Sequence, residues 1–336
     1  MTDSLRIGIL SAAHLHADGY VGNLKHSPGI ELLGIADDDR ERAAQFAATH
    51  HIRAYGSVDD LLADAPDGVI VCSENANHTP LVLAAAAAGA HVLCEKPLAT
   101  TLEDARAMVE ACASAGVRLM TAFPLRFNAP VRQVKGMLDA GSLGRVYGIN
   151  GTNQGECPKH HRAWFVDPVL AGGGAMMDHV VHLTDLLRWM LKSEVVEVYA
   201  QHNHILYAEE APDVETGGLL LLTFANGTFA SIDCSWNKPP YYPTWGGLAM
   251  DWVSEKGLVR VDAFRQVMPV YSHDAGRARW AFWGSDADQA MVDEFAACIR
   301  ENRPPLISGE DGVKALEVVL AAYRSAETGE PVALQA

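Results

Sequence analysis

The sequence predicts an α/β protein: a doubly wound parallel sheet at the N-terminus, then a C-terminal α/β domain built on a large, mainly antiparallel sheet. Three observations predict it. Short apolar runs alternate with helical patterns up to residue 122. Hairpin signals dominate after Phe123. Between these regimes, the apolar run His91–Cys94 ends abruptly in Glu95-Lys96-Pro97.

Composition sets the outer bounds. A chain of 336 residues is long for one core and fits two domains, drawn here at 1–122 and 123–336. Hydrophobic content of 49% with 20% charged residues describes an ordinary globular chain, so neither disorder nor a fibre is expected. A net charge of −16 argues against nucleic acid or an anionic membrane as partner, because both require a basic face. The six cysteines are scattered without a C-x-x-C pair, which fits a reducing cytoplasm better than a disulfide framework. Met1–Leu10 shows no signal peptide, and no apolar run reaches the roughly 18 residues of a membrane span.

In the first domain, strands are expected at Leu5–Leu10, Glu31–Ala36, Gly68–Cys72, His91–Cys94 and Val117–Ala122. Helices are expected at 17–27, 39–49, 58–63, 79–89 and 102–115. Strands alternating with helices imply right-handed βαβ units, the Rossmann-type arrangement. The first βα turn of such a domain normally carries G-x-G-x-x-G; here those positions read Ser11, Ala13 and His16. Ser11 and Ala13 are small enough to keep the tight turn and the close backbone approach. His16 is not suited to close helix–strand packing.

Asp37 follows the second strand, about 25 residues beyond Ser11, where an acid accepts hydrogen bonds from a ribose 2′-hydroxyl and repels a 2′-phosphate. NAD is therefore expected over NADP, with Asp39 free to cap the next helix. The expected cofactor contacts are Ser11, Ala13, His14, Asp37, Ser73, Asn75, Glu95 and Lys96. Two charges ending a buried strand need a use, since an unpaired buried charge costs several kcal/mol. Ligands of open α/β sheets bind at the carboxyl ends of the strands, which is where Lys96 falls.

In the second domain a helix at Ala129–Ala140 precedes a strand at Arg145–Gly151. Further strands are expected at Val195–His204, Gly217–Phe224, Thr228–Trp236, Leu248–Ser254 and Leu258–Val261. Asn226-Gly227 and Glu255-Lys256-Gly257 read as hairpin turns, hence an antiparallel sheet. Two helices near 286–300 and 310–326 close the chain. The informative stretch is Gly172–Gly174 followed by a helix through about Leu191. The glycines suit backbone that must approach something closely. On that helix Asp178, His182 and Asp185 share one face, so His182 has an acid one turn away on each side.

These motifs together resemble the Gfo/Idh/MocA (glucose–fructose oxidoreductase / inositol dehydrogenase) family. The resemblance runs through Asn75, His78, Glu95-Lys96-Pro97, Arg126-Phe127, Asp167-Pro168, Gly172–Gly174, Asp178 and His182 to the ending Pro304-Pro305 and Pro331-Val332. It implies that Lys96, Asp178 and His182 form the catalytic trio and that the chain assembles as a homodimer or homotetramer through its second domain. This sequence departs from the family pattern at the glycine-rich turn. It departs again at Val180, where many members have glycine, with an added His179 before it.

The expected function is NAD-dependent hydride transfer with a sugar, polyol or related hydroxyl compound. Arg126, Trp164, His179, Tyr242 and Trp245 are the candidate substrate-side residues. Residues 235–245 carry four aromatics and three prolines, which stiffen a loop and present flat apolar faces; a buried aromatic cluster is the alternative. Two other readings remain open at this level. His14, His16, Asp178, His179 and His182 are metal-ligand types. A non-catalytic family member with weakened NAD binding is the third.

Overall fold

Apolar β-branched runs with no polar face can only be strands covered on both sides, and that is how the first unit is built. The computed structural model describes residues 4–272 and 277–335. The chain forms two compact units. The first comprises Met1–Pro124, Pro158–Gly172 and Asp288–Glu317; the second comprises Leu125–Cys157, Gly173–Ala287 and Val318–Ala336. The boundary drawn at 122 lies next to the first crossing, but the chain passes between the units several times more. A sequence pattern of strands and helices carries no mark of such returns.

In the first unit β1 (Leu5–Leu10), α1 (Ala17–His26), β2 (Ile30–Ala36), α2 (Arg40–His50), α3 (Val58–Ala63), β3 (Gly68–Val71), α4 (His78–Ala87), β4 (His91–Cys94), α5 (Leu102–Ser114) and β5 (Leu119–Thr121) follow one another. All strands pair in parallel, in the order β2-β1-β3-β4-β5. Helix starts follow their caps: Asp39 accepts from the amides of Glu41 and Arg42, and Ser57 and Thr101 each accept from the third residue on.

The second unit opens with α6 (Ala129–Asp139) and β6 (Val146–Gly155), and the short α7 (Pro168–Ala171) returns to the first unit. Then come α8 (Ala175–Leu191), β7 (Val195–Asn203), β8 (Gly217–Phe224), β9 (Phe229–Asp233), β10 (Gly246–Ser254), β11 (Gly257–Asp262), β12 (Val267–Ser272) and β13 (Arg277–Phe282). Helix α9 (Ala287–Arg300) lies almost wholly in the first unit, α10 (Gly309–Thr328) begins in the first and ends in the second, and the short β14 (Val332–Ala333) closes the second. Seven strands form one sheet in the order β11-β10-β6-β9-β8-β7-β14. The sheet is mixed, because β6 and β9 pair in parallel at its centre. Both hairpin turns form where Asn226-Gly227 and Glu255–Gly257 place them. The separate β12–β13 hairpin was not apparent in the sequence.

Alternation sorts this sheet into two faces. Leu220, Leu222, Ala230, Ile232, Met250 and Trp252 are buried on the face that α8 covers. Leu219, Leu221, Phe229 and Val253 point the other way and are exposed. All six cysteines are buried thiols, and among the described residues no helix is long and apolar enough to cross a membrane.

One glycine shows how tightly the first sheet is edged. Gly34 has φ +139°, and a Cβ there would lie 2.2 Å from the Arg53 carbonyl oxygen. That close approach lets Ile35 exchange backbone hydrogen bonds of 2.9 and 2.8 Å with Arg53 and Tyr55. Gly34→Ala is expected to cost about 2–4 kcal/mol, read as a lower urea midpoint. An unchanged midpoint would contradict this account of the edge.

Candidate functional site

The strand order of the first sheet reverses at β1, since the chain goes outward to β2 and then crosses to β3 on the other side. Ligand crevices of open α/β sheets lie at such a switch point, outside the carboxyl ends of the strands. Here the ends of β1, β3 and β4 contribute Ser11, His14, Ser73, Asn75, Glu95 and Lys96, and every one is buried. This concentration of buried polar groups at one end of an apolar sheet marks the site within the first unit.

The turn after β1 keeps the glycine geometry without the glycine. Ser11 has φ +70°, the left-handed conformation a glycine would supply at lower cost. Its hydroxyl offsets that cost locally, donating to Asp37 Oδ2 at 3.1 Å and accepting from the Ala13 amide at 3.2 Å. The Ala12 amide also donates to Asp37 Oδ2, at 2.8 Å. Positions 12 and 13 carry only methyl groups, the small side chains that close backbone approach to a nucleotide pyrophosphate requires. His16 does not obstruct helix packing as the sequence suggested. It is the N-terminal flank of α1, its ring turns toward Glu95, and the helix packs through Ala17, Tyr20, Val21 and Leu24.

Asp37 is fully engaged. Arg42 grips it through Nε at 2.8 Å and Nη2 at 2.6 Å, and the Asp39 amide donates to Oδ1 at 3.0 Å. Burial pushes the Asp37 carboxyl up, but Arg42 and the donors outweigh it and hold the group below its ordinary range. Asp37 thus ties the end of β2 to the turn after β1, a role beyond the expected ribose contact.

Glu95 organises the other side. Tyr20 donates to its Oε1 at 2.6 Å, and His16 Nδ1 lies 2.9 Å from the same oxygen. Burial would raise the Glu95 carboxyl, yet His16 and His14 beside it hold it well below the usual range. Burial would lower His16, and the Glu95 charge reverses this and raises it. Burial pushes His14, which packs beside Trp164 and Phe165, well down. The Lys96–Pro97 peptide is cis, and His78 Nδ1 lies 3.1 Å from the carbonyls of both Pro97 and Leu98.

Two expected substrate residues have other partners. Trp164 is buried, stacks on Phe165 at 4.0 Å, and donates its indole N–H to the Ala13 carbonyl at 3.0 Å. It braces the turn. Arg126 belongs to the second unit and holds Asp185 of α8 through Nε at 2.9 Å and Nη2 at 2.5 Å. A buried guanidinium needs such a carboxylate, which a sequence reading cannot assign. Asn75 Nδ2 donates to the Ala171 carbonyl at 2.8 Å, and its buried Oδ1 has no hydrogen-bond partner among the described residues.

In the second unit, α8 carries Asp178, His179 and His182. Its first amides are buried and cannot reach water. Glu215 satisfies them, accepting from Gly174 at 3.1 Å and Met176 at 2.8 Å, while the Tyr323 hydroxyl accepts from Met177 at 3.2 Å and donates to Glu215 at 2.8 Å. The triple glycine serves this approach: a Cβ at Gly173 would lie 2.0 Å from the Tyr323 oxygen, and one at Gly174 2.0 Å from the Glu215 carbonyl oxygen. Asp178 Oδ2 accepts from the Trp236 indole at 3.2 Å and lies 3.1 Å from His179 Nε2. His179, expected against substrate, therefore faces Asp178. His182 is half-buried one turn further on.

The loop 237–246 is fastened from within. Lys238 Nζ donates to the Gly246 carbonyl at 2.6 Å and sits 4.2 Å from the centre of the Tyr242 ring, and burial brings the amine down to about 8. Tyr242 is exposed and Trp245 half-buried, in contrast to the fully buried Trp236.

The suspected metal cluster divides between the units. His14 and His16 lie with Glu95 in the first, with ligand-type atoms within 4.8 Å of one another. Glu95 already accepts from Tyr20 and pairs with His16, so this is a satisfied ion pair rather than an open coordination shell. Asp178, His179 and His182 belong to the second unit. The sequence reading missed Tyr20, Arg42, Glu215 and Tyr323, while Trp236 fell within the aromatic stretch 235–245 and takes the buried alternative. Of the missed residues only Arg42 left a signal, four residues beyond Asp38.

Residues 5–123 match an oxidoreductase family domain described as an NAD-binding Rossmann fold, and residues 131–260 match the GFO/IDH/MocA C-terminal domain. The chain is 29% identical to myo-inositol 2-dehydrogenase of Thermotoga maritima over 98% of this chain and 99% of that one. It is 30% identical to D-xylose 1-dehydrogenase (NADP(+)) 2 of Haloferax volcanii, covering 98% of this chain and 100% of the relative. Among solved structures, GenD2 from gentamicin A biosynthesis in complex with NAD superposes with a TM-score of 0.89 at 25% identity, covering 100% of this chain and 98% of that one.

The Glu95–His16 pair makes a pH-dependent contribution to stability. The lowered Glu95 contributes above the carboxylate's unfolded pKa and is lost as pH falls through its folded value. The raised His16 contributes below the imidazole's unfolded pKa and is lost as pH rises through its folded value. The advantage of wild type over Glu95→Gln in urea titrations should therefore be widest between about pH 4.5 and 6.5 and narrow on both sides. A difference that is flat from pH 4 to 9 would show that the pair carries no charge term.

Proposed function

This chain belongs to the Gfo/Idh/MocA family of NAD-binding oxidoreductases, and we propose that it is a nicotinamide-dependent dehydrogenase of a sugar, polyol or related hydroxyl compound. The observation that carries this is the buried Glu95-Lys96 step at the carboxyl end of β4, beside the switch point of a parallel sheet. The sugar and inositol dehydrogenases among the relatives support the substrate class. They favour this reading over a metal-centred or a non-catalytic protein.

Bound nicotinamide supplies the hydride acceptor, and the protein supplies position and electrostatics. Ser11–Ala13 and Asp37 would hold the dinucleotide, with Ser73, Asn75 and the Glu95-Lys96 step at its reactive end. His182 takes the substrate hydroxyl proton as general base. Lys96 donates to the same oxygen and stabilises the negative charge that develops on it. Asp178 orients the hydroxyl being oxidised, and Tyr242 and Trp245 are the aromatic faces offered to a sugar ring. Lys96→Ala and His182→Ala should each lower turnover by about two to four orders of magnitude while NAD still raises the melting temperature. Near-normal turnover in His182→Ala would remove it as the base. The primary assay pairs NAD or NADP with panels of sugars, polyols and cyclitols and follows absorbance of the reduced cofactor. Turnover on none of them, by protein that NAD visibly stabilises, would sink the dehydrogenase reading.

NAD is favoured over NADP because Asp37 puts a buried carboxylate at the end of β2. Arg42 is neutralised by that carboxylate, so a 2′-phosphate could recruit it only by breaking the pair. Asp37→Ser should weaken NAD binding and strengthen NADP binding, because it removes a repulsion and releases Arg42 together. Tighter NADP than NAD binding by the native protein would refute the assignment.

The exposed face of the second unit's sheet supports a homodimer or homotetramer. Leu219, Leu221, Phe229 and Val253 form an apolar patch on a face that no element of the chain covers among the described residues. Light scattering at micromolar concentration should give a multiple of the chain mass, and Leu221→Glu should reduce it; a monomeric wild type would count against this. The six free, buried cysteines fit a reducing cytoplasmic setting.

A further inference from the structure

We propose that Trp236 and His179 are positioning residues that fix the Asp178 carboxylate for the reaction, an inference that rests on the dehydrogenase reading above. Both converge on one oxygen: the Trp236 indole N–H donates to Asp178 Oδ2 at 3.2 Å, and His179 Nε2 lies 3.1 Å from the same atom. Rotating the carboxylate away would break both contacts at once.

The two contacting residues are themselves locked. Trp236 has no exposed surface, and its backbone amide is held by the Thr216 carbonyl at 2.9 Å. An indole has one N–H and no acceptor, so it can only donate, and a buried one must find a partner. His179 is also buried, and its Nδ1 has no hydrogen-bond partner among the described residues. Neighbouring residues on a helix point about 100° apart, so the contact from His179 back to Asp178 needs space for the ring to fold over. Gly155 on β6 provides it: a Cβ there would lie 3.0 Å from His179 Cε1 and 3.1 Å from Nε2. Three elements, β6, α8 and the segment after β9, thus meet to hold one carboxylate.

The function follows from the geometry. A carboxylate that orients a hydroxyl is useful only if its own orientation is fixed, and misplacement by about 1 Å can cost about 100-fold in rate. Trp236 and His179 act through Asp178, so their removal should matter only while Asp178 is present.

The test is a double-mutant cycle on purified full-length protein, using NAD and the best substrate from the panel assay. Trp236→Phe keeps the ring and removes the N–H. It should lower kcat about 10- to 100-fold with KM for NAD and the NAD-induced thermal shift unchanged. Added to Asp178→Asn, the same change should cost no further turnover. His179→Gln, which can still donate, should retain more activity than His179→Leu, and Gly155→Ala should mimic His179→Leu by displacing the ring. If Trp236→Phe does not fold, the His179 and Gly155 variants answer the same question. Wild-type kcat in Trp236→Phe, or losses that add fully to that of Asp178→Asn, would overturn the proposal. Wild-type turnover in Asp178→Asn would instead overturn the functional reading on which it rests.

Discussion

The second unit depends on one buried carboxylate. Helix α8 begins inside the protein, where its first amides cannot be hydrated, and an unsatisfied buried N–H costs about 1–3 kcal/mol. Glu215 collects the amides of Gly174 and Met176, and Tyr323 collects that of Met177 while donating to Glu215. A negative charge at a helix N-terminus is further stabilised by the aligned peptide dipoles. The arrangement sets the axial position of α8, and with it the heights of Asp178 and His182. It also explains the glycines. Any side chain at 173 or 174 would collide with the two groups that make the cap.

The same principle operates in the first unit with different residues. Asp37 and Glu95 are both nearly inaccessible, and each is held ionised by cations and hydroxyls drawn from more than one element. Asp37 joins the end of β2 to the turn after β1 and to α2. Glu95 joins the end of β4 to α1. Buried charges of this kind contribute little net stability after desolvation, but each fixes a relation between elements that apolar packing would leave adjustable. Both lie at the carboxyl edge of the sheet, the edge where function is expected.

Much of this was legible in the sequence, and the reason is local. The end of β4 and the start of α8 are set by Pro97 and by the triple glycine, both of which act within a few residues. Lys96 stands out because charge at the end of an apolar run is conspicuous, and Asp178 and His182 because they share one face of the helix after the glycines. What could not be read are partners far apart in the chain. Arg126 meets Asp185 across 59 residues, Trp236 meets Asp178 across 58, and Tyr323 meets Glu215 across 108. The parallel pairing of β6 and β9 escaped for the same reason, since hairpin signals describe only consecutive strands.

The replacement of the glycine-rich turn shows how such long-range contacts permit a local rule to be broken. A left-handed serine is disfavoured relative to glycine. Ser11 is nonetheless held there, because its hydroxyl and the adjacent Ala12 amide both reach Asp37, which Arg42 holds in place. The turn's conformation is thus encoded by a carboxylate at the end of the neighbouring strand rather than by the turn's own residues. Coupling of this kind makes Asp37 serve two ends, the shape of the turn and the charge seen by a ribose. Substitutions at Asp37 will therefore mix loss of turn geometry with change of cofactor preference. The two are separable through Ser11→Gly, which restores the intrinsic freedom of the turn and leaves the charge at Asp37 untouched.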